Sequence, residues 1–138
     1  MRITNANNSN WVSITKIDNE TKFYPSICIE IVIESVLKIT MRKTEIFWIE
    51  NWKVEEFIKE LKAIEASRKG VAKLATEPEE FECVIGSLNE IGQMYIELKL
   101  NKRKYLDEYY KLEIGFEIDA GLLNTIIYDF TALLNDDY

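Results

Sequence analysis

The chain contains no histidine, and this absence excludes a large share of enzyme chemistry. Ser-His-Asp and Cys-His nucleophile systems, the HExxH zinc motif and histidine acid–base catalysis all need an imidazole. Cysteine is almost as scarce, since Cys28 and Cys83 stand far apart in the sequence and neither belongs to a CxxC motif. Two such residues do not make a disulfide framework, so we expect reduced thiols and a cytoplasmic protein.

Proline and glycine are also few, with two and five residues, which leaves no room for a long flexible linker. We therefore predict one domain over residues 1–138, with a flexible segment at the asparagine-rich residues 1–10. No uncharged apolar run approaches the roughly 20 residues that cross a bilayer. The polar start of the chain lacks the apolar centre of a secretory signal, so we predict neither a membrane partner nor export.

Basic residues are outnumbered, because 17 Lys and Arg face 24 Asp and Glu for a formal net charge of −7. Residues 1–69 carry 11 basic and 10 acidic side chains, whereas residues 70–138 carry 6 and 14. Proteins that bind nucleic acid need clustered Lys and Arg, so we predict no nucleic-acid partner. The negative charge favours a basic protein partner, or it serves only to keep the chain in solution.

Apolar and polar residues alternate over seven segments, which is the pattern of half-buried strands. In the longest, isoleucine occupies every odd position from Ile27 to Ile33, which places Cys28 on the opposite face. The basic run Lys102–Lys104 falls in a predicted hairpin loop. The predicted strands are Trp11–Ile17, Ser26–Thr40, Thr44–Glu50, Gly70–Thr76, Phe81–Ser87, Gly92–Leu100 and Tyr109–Asp119.

Two further segments repeat apolar residues at helical spacing. The first begins at Asn51, a favoured N-cap residue, and ends near Gly70. Trp48 and Trp52 flank its start and are predicted to form a corner of the core, with part of one ring at the surface. Asp119 can cap the second helix. The stripe of the first helix consists of Val54, Phe57, Ile58, Leu61 and Ile64.

Strands joined by short turns pair antiparallel, and two helices with one apolar stripe each can cover one face of a sheet. We therefore predict an α+β fold in which a single curved antiparallel sheet carries two α-helices packed on one face. The other face would be acidic, with glutamates outnumbering Lys38, Lys99 and Lys111. The candidate partner-binding residues on that face are Glu30, Glu34, Glu82, Tyr95, Glu97, Tyr109, Glu113 and Glu117.

These outward carboxylates can equally form a simple solvated face or supply the acid–base pair of a hydrolase. Glu30 and Glu34 would stand about 13 Å apart along one strand, too far for such a pair. Glu97 and Glu113 could approach across strands, but no group that would tune their acidity is evident, so we predict no enzyme. The acidic clusters lack EF-hand spacing and the glycines lack a phosphate-loop lysine, so we predict no metal and no cofactor.

Five segments carry a resemblance to a known family, namely "WKVEEFIKELKAI", "GVAKL", "EFECVIGS", "GQMYIELKL" and "KLEIGFEIDAGLLNTIIYDFTALL". Their order over residues 45–135 resembles that of the WapI-like immunity proteins of bacterial contact-dependent toxin systems. The resemblance implies a protein that is not an enzyme and that binds and blocks the C-terminal toxin domain of its own system. Many such toxins are nucleases with basic surfaces, which an acidic face would suit. Tyr95, Tyr109 and an exposed tryptophan would then anchor the complex while the glutamates set its on-rate and specificity.

Two other functions stay open on the sequence alone. One is a small-ligand module that holds an apolar molecule between sheet and helices, in a pocket lined by Phe47, Phe57 and Phe116. The other is the hydrolase with two glutamates, which would need one strongly perturbed carboxyl in a cleft. An exposed edge strand could also pair two copies into a homodimer.

Overall fold

The structure, a computed structural model, describes residues 1–36, 40–89, 91–105 and 108–135, without the side chains of residues 103–105 and 108. Two four-stranded antiparallel sheets and two helices make an α+β fold. Sheet A contains β1 (Arg2–Thr4), β2 (Asn10–Glu20), β3 (Ser26–Ser35) and β4 (Met41–Glu50). Sheet B contains β5 (Val71–Ala75), β6 (Phe81–Ser87), β7 (Gln93–Tyr105) and β8 (Glu108–Asp119). The helices are α1 (Asn51–Ser67) and α2 (Leu123–Asn135), the latter preceded by the 3₁₀ turn Ala120–Leu122.

The prediction of an α+β fold is confirmed, and the prediction of a single sheet is wrong. In each sheet every strand pairs with its sequence neighbours, and α1 separates β4 from β5, which do not pair with each other. Phe47 of β4 stacks on Phe81 of β6 with ring centroids 5.3 Å apart, so the inner faces of both sheets meet in one core. Each sheet buries its apolar face against the other sheet and against the helices. The inward isoleucines of β3 are therefore covered without all strands joining one sheet.

The two halves of the chain have the same element order, four strands of a meander followed by a helix. Sheet A with α1 spans residues 1–67, and sheet B with α2 spans residues 71–135. The boundary falls where the charge of the sequence changes, since residues 1–69 carry 11 basic and 10 acidic side chains and residues 70–138 carry 6 and 14. Sheet B therefore belongs to the acidic half of the molecule.

Residues 1–10, for which we predict a flexible segment, contain strand β1 and a hydrogen-bonded turn. Ile3 is fully buried in the core, and the amino group of Met1 donates a hydrogen bond to the carbonyl oxygen of Ile14 at 3.1 Å. Within the turn, Asn5 Oδ1 accepts from the backbone N–H of Asn10 at 3.1 Å, and Asn5 Nδ2 donates to Ser9 Oγ at 2.9 Å. Asparagine side chains replace missing backbone partners in tight turns, which is why this segment is rich in them.

The long strand predicted over Ser26–Thr40 ends at Ser35. Ser35 pairs with both Asn10 and Met41, so β3 lies at the centre of sheet A over its full length. The odd-numbered isoleucines of β3 point into the core, as the alternation predicts. Residues 37–39, including Lys38 with its predicted outward position, lie outside the described residues.

Helix α1 begins at Asn51, as predicted, but Glu50 and not Asn51 occupies the N-cap position. The Asn51 backbone N–H donates to the carbonyl oxygen of Pro25 at 2.8 Å, which holds the β2–β3 turn against the helix. The Oδ1 atom of Asn51 is buried and has no hydrogen-bond partner among the described residues. All five residues of the predicted apolar stripe are buried, so the helical phase is confirmed.

Helix α2 follows a cap that the sequence predicts, since the Asp119 side chain accepts from the backbone N–H of Gly121 at 2.8 Å. The two helices contact each other through an edge-to-face pair, with the rings of Phe57 and Phe130 5.0 Å apart. Neither helix is long and apolar enough to cross a membrane, and the described part of the chain holds no other α-helix.

Candidate partner-binding surfaces

The eight predicted partner-binding residues do not share one face, because they are divided between two sheets. Glu30 and Glu34 lie on the outer face of sheet A, on strand β3. The other six lie on the outer face of sheet B, and these are Glu82, Tyr95, Glu97, Tyr109, Glu113 and Glu117. The expectation of one continuous acidic face is therefore corrected to two separate faces, and the physical reason is the division of the strands into two sheets.

The two glutamates on sheet A have neutral or basic surroundings. Glu34 stands opposite Arg42 and pairs with it at 3.6 Å. Glu30 stands between Thr15 and Ile46 on the neighbouring strands. Glu34 is neutralised by its ion pair, and Glu30 is a single half-buried carboxylate. Together they create only a weak electrostatic field, so this face is a weak candidate for binding a basic partner.

The outer face of sheet B is divided into a neutralised end and an open end. At the neutralised end, near the β5–β6 turn, Lys73 Nζ lies 3.6 Å from a carboxylate oxygen of Glu82 and 3.8 Å from one of Glu79. Lys99 stands directly opposite Glu82 on one side, whereas Glu113 on its other side forms no ion pair with it and marks the border with the open end. Acidic and basic side chains alternate here, so their fields largely cancel.

The open end surrounds Gly115, in the middle of the edge strand β8. Glu97 on β7 stands directly opposite this glycine, and Glu113 and Glu117 flank it along the same face of β8. None of these three carboxylates forms an ion pair with another described residue. Like charges this close repel one another mildly, and a bound cation would relieve that repulsion.

A groove of about 450 Å³ opens at this place. Its floor includes the backbone at Gly115, where no side chain fills the space between Glu97 and Glu117. The complete lining consists of Leu88, Tyr95, Ile96, Glu97, Gly115, Phe116 and Glu117. The groove therefore combines two carboxylates with an aromatic ring and an aliphatic side chain.

Tyr95 is held in place by a glycine on the neighbouring strand. Gly86 of β6 stands opposite Tyr95, and a Cβ atom built on Gly86 would lie 2.5 Å from the tyrosine Oη atom and 2.6 Å from Cζ. The ring therefore covers the Gly86 backbone, a position that any larger residue would obstruct. Tyr109 lies at the other end of the face and is 66% exposed, close to Glu80 and Lys111.

The largest exposed aromatic side chains lie elsewhere, and beyond one exposed tryptophan expected as an anchor they were not predicted as a surface. Phe23 and Tyr24 in the β2–β3 turn are 85% and 80% exposed, and Trp48 and Trp52 are also exposed. The predicted core corner at the two tryptophans is therefore wrong. The available signal was the register of β4, because Trp48 alternates with the inward-facing Phe47.

A partly buried polar cluster connects the two sheets and was also not predicted. Glu45 of β4 points inward, accepts a 2.5 Å hydrogen bond from the Tyr110 hydroxyl group and lies 3.4 Å from Lys102 Nζ. Lys102 Nζ also donates to the carbonyl oxygen of Ile46 at 3.0 Å, at a position predicted to be a solvent-exposed loop. Burial and the hydrogen bond with Glu45 raise the pKa of Tyr110 above its ordinary value. The cluster is a bridge between β4 and the β7–β8 hairpin.

The side chains proposed for other functions are core residues. Phe47 and Phe57 are buried, and their rings pack against those of Phe81 and Phe130, respectively. Phe116 is buried as well. Cys28 keeps its predicted outward register but is buried, and burial raises its thiol pKa. Cys83 is fully buried, and burial raises its pKa to about 12. Among the described residues, no group of three His, Cys, Asp or Glu side chains is placed to hold a metal ion.

Comparison with known proteins adds no family assignment, because neither a protein-family model nor a curated protein sequence matches the chain.

Proposed function

We propose that this chain is a non-enzymatic, cytoplasmic binding protein that recognises a basic partner protein through the outer face of sheet B. The observation that carries the proposal is the open end of that face, where Glu97, Glu113 and Glu117 lack an ion pair among the described residues. Unneutralised charges on one face attract a partner of opposite charge and accelerate encounter.

The partner that best fits is the C-terminal toxin domain of a contact-dependent system, with this chain as its immunity protein. The resemblance to the WapI-like group suggests this role, and the acidic half of the chain supports it, since residues 70–138 carry 14 acidic and 6 basic side chains. A toxin that cleaves nucleic acid must present a basic surface, which an acidic inhibitor can cover.

The tyrosines on the same face supply contact area that the carboxylates lack. Tyr95 is half-buried over Gly86, so it loses little conformational freedom when a partner covers it, and Tyr109 is largely exposed at the other end. Tyrosine is enriched among residues that dominate binding energy, whereas exposed glutamates mainly affect association rate and specificity. We expect the complex to need both.

The test is to co-express this chain with the C-terminal domains of large toxin-like proteins encoded beside it, and to measure binding and neutralisation. We expect a tight complex whose association rate falls steeply with added salt. The double variant Glu97→Lys, Glu113→Lys reverses two charges on the proposed face and should slow association at least tenfold. The matched control, Glu55→Lys with Glu56→Lys, makes the same change of net charge on exposed positions of α1.

Equal loss in both double variants would mean that only net charge matters and would refute the assignment to sheet B. If no toxin-like neighbour binds, the immunity role itself fails.

Sedimentation of the chain alone tests for a homodimer formed through an edge strand. The available edges are β1, β4, β5 and β8. A dimer that dissociates when a partner is added would place the edge next to the binding face.

A further inference from the structure

The groove over Gly115 has the shape and charge of a receptor for a cationic side chain. It lies on the face of the proposed function and joins Glu97 and Glu117 to the ring of Tyr95 and the side chain of Leu88. Its volume of about 450 Å³ exceeds what one long side chain fills. Pockets that bind small groups commonly combine apolar walls with a few polar groups that fix orientation, as this one does.

Gly115 itself indicates that the groove is kept open for an occupant. Glycine inside a strand lowers stability by roughly 0.5–1 kcal/mol relative to alanine, so its presence needs a local reason. A Cβ atom at Gly115 would lie 3.4 Å from Glu97 Cγ and 3.5 Å from the carbonyl oxygen of Ile96, which is ordinary contact. The described structure would therefore accept a Cβ atom at this position. Gly86 is different, because a Cβ there would collide with Tyr95 at 2.5 Å.

Resting on the proposed function, we infer that this groove receives an arginine side chain of the basic partner. Its guanidinium group would bind between Glu97 and Glu117, which stand diagonally across Gly115, and its flat face would stack on Tyr95. Arginine fits better than lysine because its planar group donates in several directions to two carboxylates and stacks on aromatic rings. Leu88 would cover the aliphatic part of the same side chain.

The first experiment needs no protein partner. Isotope-labelled chain is titrated with N-acetyl-arginine-amide and, separately, with N-acetyl-lysine-amide, and backbone amide shifts are followed. With the arginine compound, we expect the amide shifts at Gly115 and Glu97 to saturate with a millimolar dissociation constant. The lysine compound should bind at least threefold more weakly. Glu97→Gln with Glu117→Gln should abolish the shifts. Shifts that never saturate, or that are equal for both compounds, would overturn the arginine assignment.

The second experiment uses the complex and fills the groove. Gly115→Ala, Gly115→Thr and Gly115→Val form a graded series in which Thr and Val have nearly the same shape. We expect every variant to melt at or above the wild-type temperature, while the dissociation constant of the complex rises by about tenfold or more for Thr and Val. The association rate and its salt dependence should stay unchanged, because no charge is altered.

These results separate the groove from the wider face. A complex that tolerates Gly115→Val but is disrupted by Glu97→Lys with Glu113→Lys refutes the groove and leaves the proposed function standing. If no protein partner is found, the proposed function fails, and saturable arginine binding would still support the groove. A loss of thermal stability in the Val variant equal to its loss of binding would mean that Gly115 is structural, which also overturns the inference.

Discussion

Replacing Tyr110 with phenylalanine tests whether a buried carboxylate holds the two sheets together. Glu45 of sheet A is only 7% exposed and binds the Tyr110 hydroxyl group and the Lys102 ammonium group of sheet B. The Tyr110→Phe variant keeps the aromatic ring, over which Lys43 Nζ lies at 3.9 Å, and removes only the hydroxyl group. The loss it causes therefore measures a single hydrogen bond to a charged acceptor.

The expected magnitude follows from that geometry. A hydrogen bond to a charged group contributes about 1.5–3 kcal/mol to stability. Glu45 keeps two ammonium groups within 4 Å in the variant, at 3.4 Å for Lys102 and 3.8 Å for Lys43, and Tyr110 is only partly buried. We therefore expect the lower end, about 1.5 kcal/mol, which for a chain of this length lowers the melting temperature by roughly 4–8 °C.

Urea unfolding followed by far-ultraviolet circular dichroism measures this difference. Tyr128→Phe is the control, because Tyr128 is exposed on α2, and its loss should stay within about 0.5 kcal/mol. In a Glu45→Gln background the acceptor is neutral, so the cost of Tyr110→Phe should fall below about 1 kcal/mol. An unchanged free energy of unfolding in the single variant, or an equal loss in both backgrounds, would refute the role of the carboxylate.

The same variant has a signature in pH. Burial, followed by the hydrogen bond with Glu45, raises the pKa of Tyr110 in the folded chain above its unfolded value of about 10. A group with a raised folded pKa contributes stability that is complete below pH 10 and is lost as pH rises toward the folded pKa. As pH rises from 10 to 11, the wild type should therefore lose stability faster than Tyr110→Phe does, by at most about 1.4 kcal/mol per pH unit. Parallel curves would contradict the raised pKa.

Three further changes test the fold. Phe57→Ala removes a fully buried ring that packs on Phe130 and should cost about 3–5 kcal/mol in urea unfolding, and a loss under 1 kcal/mol would contradict the helix–helix contact. Asn51→Ala should leave the melting temperature unchanged or raise it, because the buried Oδ1 has no described partner, whereas loss of a true N-cap would cost about 1 kcal/mol. Ellman's reagent at pH 8 should label neither buried thiol until urea is added, because burial raises the pKa of Cys83 to about 12 and also raises that of Cys28. Rapid labelling of the native chain would contradict the burial of the thiols.

The strands and their faces could be predicted because alternation is local, but the number of sheets could not. The inward residues Met94, Ile96 and Leu98 are buried as their spacing predicts. Whether β4 pairs with β5 depends on contacts far apart in sequence, which periodicity does not encode. Strand β1 was missed because Arg2–Thr4 is too short to alternate measurably. The N-cap was assigned to Asn51 and not to Glu50 because asparagine is a favoured N-cap residue and glutamate is not.

The outer face of sheet B was predicted only in part, because alternation is local in sequence and pairing across strands is not. Register alone places Glu97 and Glu117 on one face, and a glycine inside an alternating strand already indicates a close approach or a missing side chain at position 115. Only pairing across strands shows that Glu97 stands opposite that glycine, so the groove itself required the structure. The inward Glu45 shows the opposite case, since the alternation of β4 places it on the same face as Phe47, but its partner Tyr110 lies 65 residues away.

The division into two sheets also decides which face should steer a basic partner. Residues 1–69, which build sheet A and α1, carry 11 basic and 10 acidic side chains, so their field is weak beyond a Debye length of about 8 Å. Residues 70–138 carry 14 acidic and 6 basic side chains, so the long-range field originates on the side of sheet B. A partner drawn by that field would meet the carboxylates around Gly115 in the edge strand β8 before the neutralised end near Lys73. Reversing the charge at Glu34, which Arg42 already neutralises, should therefore change the association rate far less than reversing the charge at Glu97.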